Sequence, residues 1–78
     1  MAIVIGCDFH KKDEQIALMD TGTGEIVERR LRHPDEAEQF YRGLPPGCVI
    51  GMETSCRARW FERLLRQCGH QLRVGHAQ

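Results

Sequence analysis

The chain predicts an α/β fold, a mixed five-stranded sheet in spatial order 3-2-1-4-5 built by the succession β-β-β-α-β-α-β. Three observations point to it. Two short apolar runs, Ala2-Ile3-Val4-Ile5-Gly6-Cys7 and Cys48-Val49-Ile50-Gly51-Met52, read as buried strands. A glycine-bearing turn, Asp20-Thr21-Gly22-Thr23-Gly24, parts two further extended segments. Two stretches, one opening at Pro34 and one near Ser55, repeat apolar residues at helical spacing.

The first strand, Ala2 to Cys7, is apolar in both alternating phases and belongs inside the sheet. After a polar stretch from Phe9 to Asp13, a second strand runs from Glu14 to Met19. Gly22 and Gly24 supply positive φ values for the hairpin, and a third strand follows from Glu25 to Leu31. The charge on that third strand suits an edge. Pro34 is expected as the first residue of a helix whose Asp35 and Glu36 complement the dipole. Ala37, Phe40, Tyr41 and Leu44 form its apolar stripe, and Pro45-Pro46-Gly47 ends it. The fourth strand spans Cys48 to Met52. The second helix carries Trp60, Phe61, Leu64, Leu65 and Cys68 on one core-facing stripe, and Gly69 stands at its C′ position. A last strand runs from His70 to Gly75.

Right-handed crossovers from strand three to four and from four to five make strands one and four parallel neighbours. Both crossovers step the same way, so both helices cover one face. The opposite face is left open and apolar, to be covered by a further helix, a partner subunit, or both.

With 78 residues the chain is one small domain at most, and its eleven basic residues balance eleven acidic ones. A neutral sum neither requires nor excludes nucleic acid, because clustering decides, and arginines do cluster at Arg29-Arg30-Leu31-Arg32 and at Arg57, Arg59, Arg63 and Arg66. Cys7, Cys48, Cys56 and Cys68 follow no CxxC spacing and read as reduced, largely buried thiols. The N-terminal apolar run is shorter than a signal-peptide core and lacks a basic leader, so a cytoplasmic chain without a membrane partner is expected.

Asp8 and Glu53 each follow one of the two apolar runs. Were those runs parallel neighbours, both carboxylates would emerge at one sheet edge, about 4.8 Å apart by strand spacing, where oxygen ligands suit Mg²⁺ or Mn²⁺ and phosphodiester chemistry. Spacing alone equally admits solvated strand-end acids or helix caps.

Gly6-Cys7-Asp8-Phe9-His10-Lys11 resembles the G-x-D-x-x-K opening of the DEDD transposases of the insertion-sequence group spoken of as IS one-ten, and Gly51-Met52-Glu53-Thr54-Ser55 resembles that family's second acidic motif. The Asp20 to Ile26 turn and the Cys68-Gly69-His70 approach to a final strand are similar too, so the resemblance spans nearly the whole chain. It implies a RuvC-like RNase H fold, with residues 1–78 a single partial domain truncated before the C-terminal helix. It also implies metal-dependent DNA cleavage and strand transfer in transposition, with guide RNA a partner in some members. Asp8 and Glu53 match the first two acids of the four-carboxylate site as catalytic, metal-binding residues. In that family the other two acids sit on a helix beyond the sheet and a serine-bearing domain follows, neither of which this chain reaches by Gln78, so the chain alone is expected to be inactive. His10 and Cys56 stand where the family commonly has small residues. Lys11, Arg57 and Arg59 are candidates for phosphate contacts, or solvated charges. A non-catalytic RNase H-like module that homodimerises through the uncovered face is the alternative. An actin-like ATPase reading fails because Phe9-His10-Lys11-Lys12 offers no glycine after Asp8 for a phosphate turn.

Overall fold

The computed structural model describes residues 2–53 and 58–75. Seven elements follow in chain order: β1 (Ile3–Phe9), β2 (Asp13–Asp20), β3 (Ile26–Arg32), α1 (Asp35–Gly43), β4 (Val49–Glu53), α2 (Arg59–Gln67) and β5 (Gln71–Gly75). They form one five-stranded sheet in the order β3-β2-β1-β4-β5, as the crossover argument requires. The first three strands are an antiparallel meander, and β4 and β5 add in parallel.

Strand β1 divides its side chains by phase. Ile5, Cys7 and Phe9 are buried under the helices, whereas Val4, Gly6 and Asp8 are exposed on the other face. The inward phase continues across the sheet through Ile16, Leu31, Ile50 and Met52, and Ala37 and Tyr41 of α1 with Phe61, Leu64 and Leu65 of α2 close over it. Tyr41 and Phe61 meet edge to face at 5.4 Å, which joins the two helices over the core.

Several boundaries differ from expectation. Phe9 is the last residue of β1 rather than the first of a loop, because it extends the phase of Ile5 and Cys7 and packs on Phe61 at 4.9 Å. The connection to β2 shrinks to His10–Lys12, and Asp8 lies within the ladder. Of the two turn glycines only Gly24 takes a positive φ, 77°; Gly22 instead donates its N–H to Asp20 Oδ1 at 2.8 Å. Pro34 caps α1 instead of opening it. Helix α2 runs from Arg59, preceded by an extended Ala58 at φ −125° and ψ 111°; the expected start near Ser55 lies outside the described residues.

The C-terminal end of α2 follows the expected chemistry. Gly69, at φ 78°, donates to Arg66 C=O at 3.1 Å and His70 N–H donates to Leu65 C=O at 2.9 Å, the two bonds of a Schellman motif. His70, buried at the same end, accepts the Cys48 N–H through Nδ1 at 3.3 Å, so its Nε2–H donates to the Tyr41 carbonyl at 3.0 Å. One imidazole thereby ties the end of α1 to the start of β4. Cys7, Cys48 and Cys68 are free thiols, the first two buried; Cys56 lies outside the described residues.

Candidate functional site

The parallel β1–β4 ladder pairs Val4 with Val49, Gly6 with Gly51 and Asp8 with Glu53. Residues in register on adjacent strands share a face, so both acids stand on the open side of the sheet, at the end where β1 and β4 finish, about 4.8 Å apart along the hydrogen-bonding direction. Both are exposed. His10, in the connection to β2, brings Nε2 to 3.4 Å from Asp8 Oδ2.

Register divides the open face into three transverse rows. The acid row reads Arg30, Gln15, Asp8, Glu53, Gly75; next come Glu28, Ala17, Gly6, Gly51, Arg73; then Ile26, Met19, Val4, Val49, Gln71. The middle row has almost no side chain on its three central strands. A groove of about 640 Å³ follows from that, floored by Gly6, Ala17 and Gly51 and bordered by Asp8 and Glu53. The expected open apolar face is uneven: its large exposed hydrophobic side chains stand in the third row, with Val4 and Met19 37% exposed and Ile26 64%, while the middle row contributes the small Ala17 and two glycines.

As a donor set, Asp8 and Glu53 offer hard carboxylate oxygens of the kind Mg²⁺ and Mn²⁺ take, with room for water between them and the groove. Among the described residues no group of three or more His, Cys, Asp and Glu could hold a metal ion. The two acids thus fit part of a divalent-ion site and not a whole one.

No family model matches the chain. Over 70 residues it is 33% identical to a protein of Pseudomonas aeruginosa described as a probable family 20 transposase. The similarity supports a transposase relationship. It takes in 90% of this chain and 20% of that protein, so the chain spans about a fifth of that relative's length.

The remaining candidates separate from the acids. Lys11 is exposed, but it borders a second cleft on the helix side, with Lys12, His33, Trp60 and Arg63. Arg59 is exposed in the first turn of α2, beside Glu62, Arg63 and Arg66. Arg57 lies outside the described residues. Trp60 departs from the expected core role: Phe61, Leu64 and Leu65 fill the core, while Trp60 is 37% exposed at its rim. No helix among the described residues is long and apolar enough to cross a membrane.

One cluster escaped the sequence reading altogether. Glu14 is fully buried, and its carboxylate accepts the Tyr41 hydroxyl at 2.6 Å and the Cys7 thiol at 3.1 Å on Oε2, and His33 Nε2–H at 2.8 Å on Oε1. No buried side-chain polar atom of the described residues lacks a partner. Burial, and then the negative charge of Glu14, push both the Cys7 thiol and the Tyr41 hydroxyl far above their ordinary values, so both stay protonated as donors. The signal was present in the strand period, because Glu14 shares the phase of Ile16 and Leu18. A charged residue in an inward phase demands partners, and β1, α1 and the residue before Pro34 supply them.

Proposed function

We propose that this chain is the N-terminal, RNase H-like part of a DEDD transposase of the IS one-ten group, and that Asp8 and Glu53 bind the Mg²⁺ or Mn²⁺ used to cleave and join DNA. The observation that supports this most is the pairing of Asp8 with Glu53 in one parallel register on an exposed face. Similarity to a probable transposase supports the same direction, and the sheet order is the one that the proposed fold uses. A bound divalent ion would supply positive charge to a phosphodiester oxygen and acidify a coordinated water. The chain's own contribution is to fix two carboxylates on rigid neighbouring strands, with His10 against Asp8 on the loop side and the glycine-floored groove beside them.

Two carboxylates give weak binding, so the test is direct. Mn²⁺ titrated into the chain and followed by electron paramagnetic resonance should bind weakly, and Asp8→Asn and Glu53→Gln should each abolish that binding without unfolding the protein. Equal Mn²⁺ binding by the wild type and both variants would refute the assignment. The chain alone should show no Mg²⁺- or Mn²⁺-dependent DNA cleavage; robust cleavage lost in Asp8→Asn would show that two acids suffice.

The third row of the open face favours a second reading. Val4, Met19 and Ile26 form an exposed apolar line suited to self-association, which makes the chain a non-catalytic homodimerising module. Sedimentation that shows a dimer weakened by Met19→Glu, together with no Mn²⁺ binding, would favour it over the metal-site reading.

A further inference from the structure

We infer that the cleft on the helix side, between the β1–β2 connection and α2, binds an unpaired stretch of nucleic acid, with a base on Trp60 and phosphates on Lys11, Lys12 and Arg63. In naming nucleic acid the inference rests on the function proposed above; the site itself is separate from Asp8 and Glu53.

The cleft measures about 650 Å³, within the size range of sites that take a nucleotide-sized ligand. Four cationic side chains and one carboxylate line it. Arg42 is committed to that carboxylate, donating Nε–H to Glu38 Oε1 at 3.1 Å, and to Gln67 at 3.1 Å. The side chains of Lys11, Lys12 and Arg63 have no hydrogen-bond or ion-pair partner among the described residues, the two lysines pairing with His33 through their backbone carbonyls alone, so three uncompensated positive charges face one concavity. In a chain with no net charge that is a local concentration and not an overall bias.

Trp60 decides the class of ligand. Its indole meets His33 edge-on at 4.9 Å and Phe61 edge-on at 5.6 Å, and among the described residues no ring lies parallel on it. Phe9, His33 and Phe61 thus hold the indole from the core side while more than a third of its surface opens into a basic cleft. An aromatic platform ringed by cations is how proteins hold single strands, because every base has a face to stack and every nucleotide a phosphate to pair. A duplex keeps its base faces stacked inside and cannot use such a platform. An acidic peptide would satisfy the cations and leave the indole without a role.

The chain has one tryptophan, so its fluorescence reports on this cleft alone. Oligothymidylate titrated in EDTA, which removes any divalent-ion bridge to the acids, should quench Trp60 and bind with a steep salt dependence. Trp60→Leu, read by anisotropy of a labelled oligonucleotide, should weaken binding roughly 10-fold or more, as loss of one base stack does. Arg63→Ala and Lys12→Ala alter exposed side chains that leave the core intact; each should weaken binding and flatten the salt dependence by about one counterion. Duplex of the same length should bind more weakly and leave the fluorescence unchanged. Binding without quenching, unaffected by Arg63→Ala and Lys12→Ala, would overturn the inference, as would equal quenching by polyglutamate. Mn²⁺ binding at Asp8 and Glu53 with no quenching in EDTA would remove the cleft and leave the metal site; loss of both would remove the functional proposal.

Discussion

Replacing Tyr41 by Phe isolates what holds the buried Glu14. The substitution keeps the ring against Phe61 and deletes only the hydroxyl that donates to Glu14 Oε2 at 2.6 Å. That oxygen would retain one donor, the Cys7 thiol at 3.1 Å, and a thiol is a weak one. Glu14 is fully buried, so water cannot replace the hydroxyl. Loss of a buried hydrogen bond to a charged acceptor costs roughly 1.5–3 kcal/mol, a large part of what a domain this small has to lose. At about 4–8 °C per kcal/mol for a domain of this size, Tm at neutral pH should fall by roughly 6–24 °C. Circular dichroism melts of the wild type and Tyr41→Phe would measure it.

The same residue carries a pH signature. Burial and the charge of Glu14 raise the Tyr41 and Cys7 pKa values in the folded state, so the unfolded chain ionises first as pH rises. The unfolded state then binds fewer protons, and stability, complete below the unfolded values near pH 8.5 for Cys and 10 for Tyr, falls above them by up to about 1.4 kcal/mol per pH unit per group. Tyr41 is the chain's one tyrosine, so its tyrosinate absorbance should appear together with unfolding and not before. Tyr41→Phe should lose the steeper limb above pH 10 and keep the shallower one from the buried thiols of Cys7 and Cys48. A melting point within about 2 °C of wild type, or tyrosinate absorbance in a still-folded chain, would refute the account.

Gly69→Ala should lower the urea midpoint by an amount equivalent to about 1–2 kcal/mol, because φ is 78° there and the added Cβ would meet Pro46 Cβ at 3.3 Å. Gly6→Ala should leave thermal stability unchanged or raise it by about 0.5–1 kcal/mol, since nothing lies within 4 Å of the new Cβ and strand glycine is entropically costly; a clear loss would mean the groove floor is tighter than the geometry shows. His70→Ala should cost about 2–4 kcal/mol in chemical denaturation, leaving the Cys48 N–H without its partner, the Tyr41 C=O with only the long Leu44 N–H bond at 3.4 Å, and a void at the α1–β4 junction.

Strand order was legible from the chain because it depends on few choices: two apolar runs, one hairpin and two crossovers of fixed hand admit little else. The pairing of Asp8 with Glu53 was legible for the same reason, since equal offsets from the two apolar runs become equal offsets in a parallel register. What escaped was set by phase at strand ends. Phe9 reads as loop because it borders the polar run His10-Lys11-Lys12, yet its alternation with Cys7 places it in the core. Glu14 was missed because a charge at the start of a strand resembles a solvated end until three distant donors converge on it. Trp60 shares the helical spacing of Leu64 but not its burial, because spacing does not show where the packing beneath a helix ends; Phe9, His33 and Phe61 meet one side of its ring and the rest stands exposed at the rim.

Asp8 and Glu14 show how one sheet edge assigns opposite roles to the same chemical group. They flank a connection of only three residues, His10–Lys12, closed by a His10 N–H to Asp13 C=O bond at 2.9 Å. Asp8 falls in the outward phase and is left to solvent, His10 and whatever the open face binds; Glu14 falls in the inward phase and is saturated by three donors from its own chain. A slip of one residue in β1 would bury Asp8 where no donors wait and expel Phe9 from the aromatic cluster. The buried network and the Phe9 contacts therefore specify the register that leaves Asp8 opposite Glu53. Architecture and proposed chemistry are coupled through strand phase: weakening the Glu14 network should degrade Mn²⁺ binding at Asp8, although no residue of that network faces the ion.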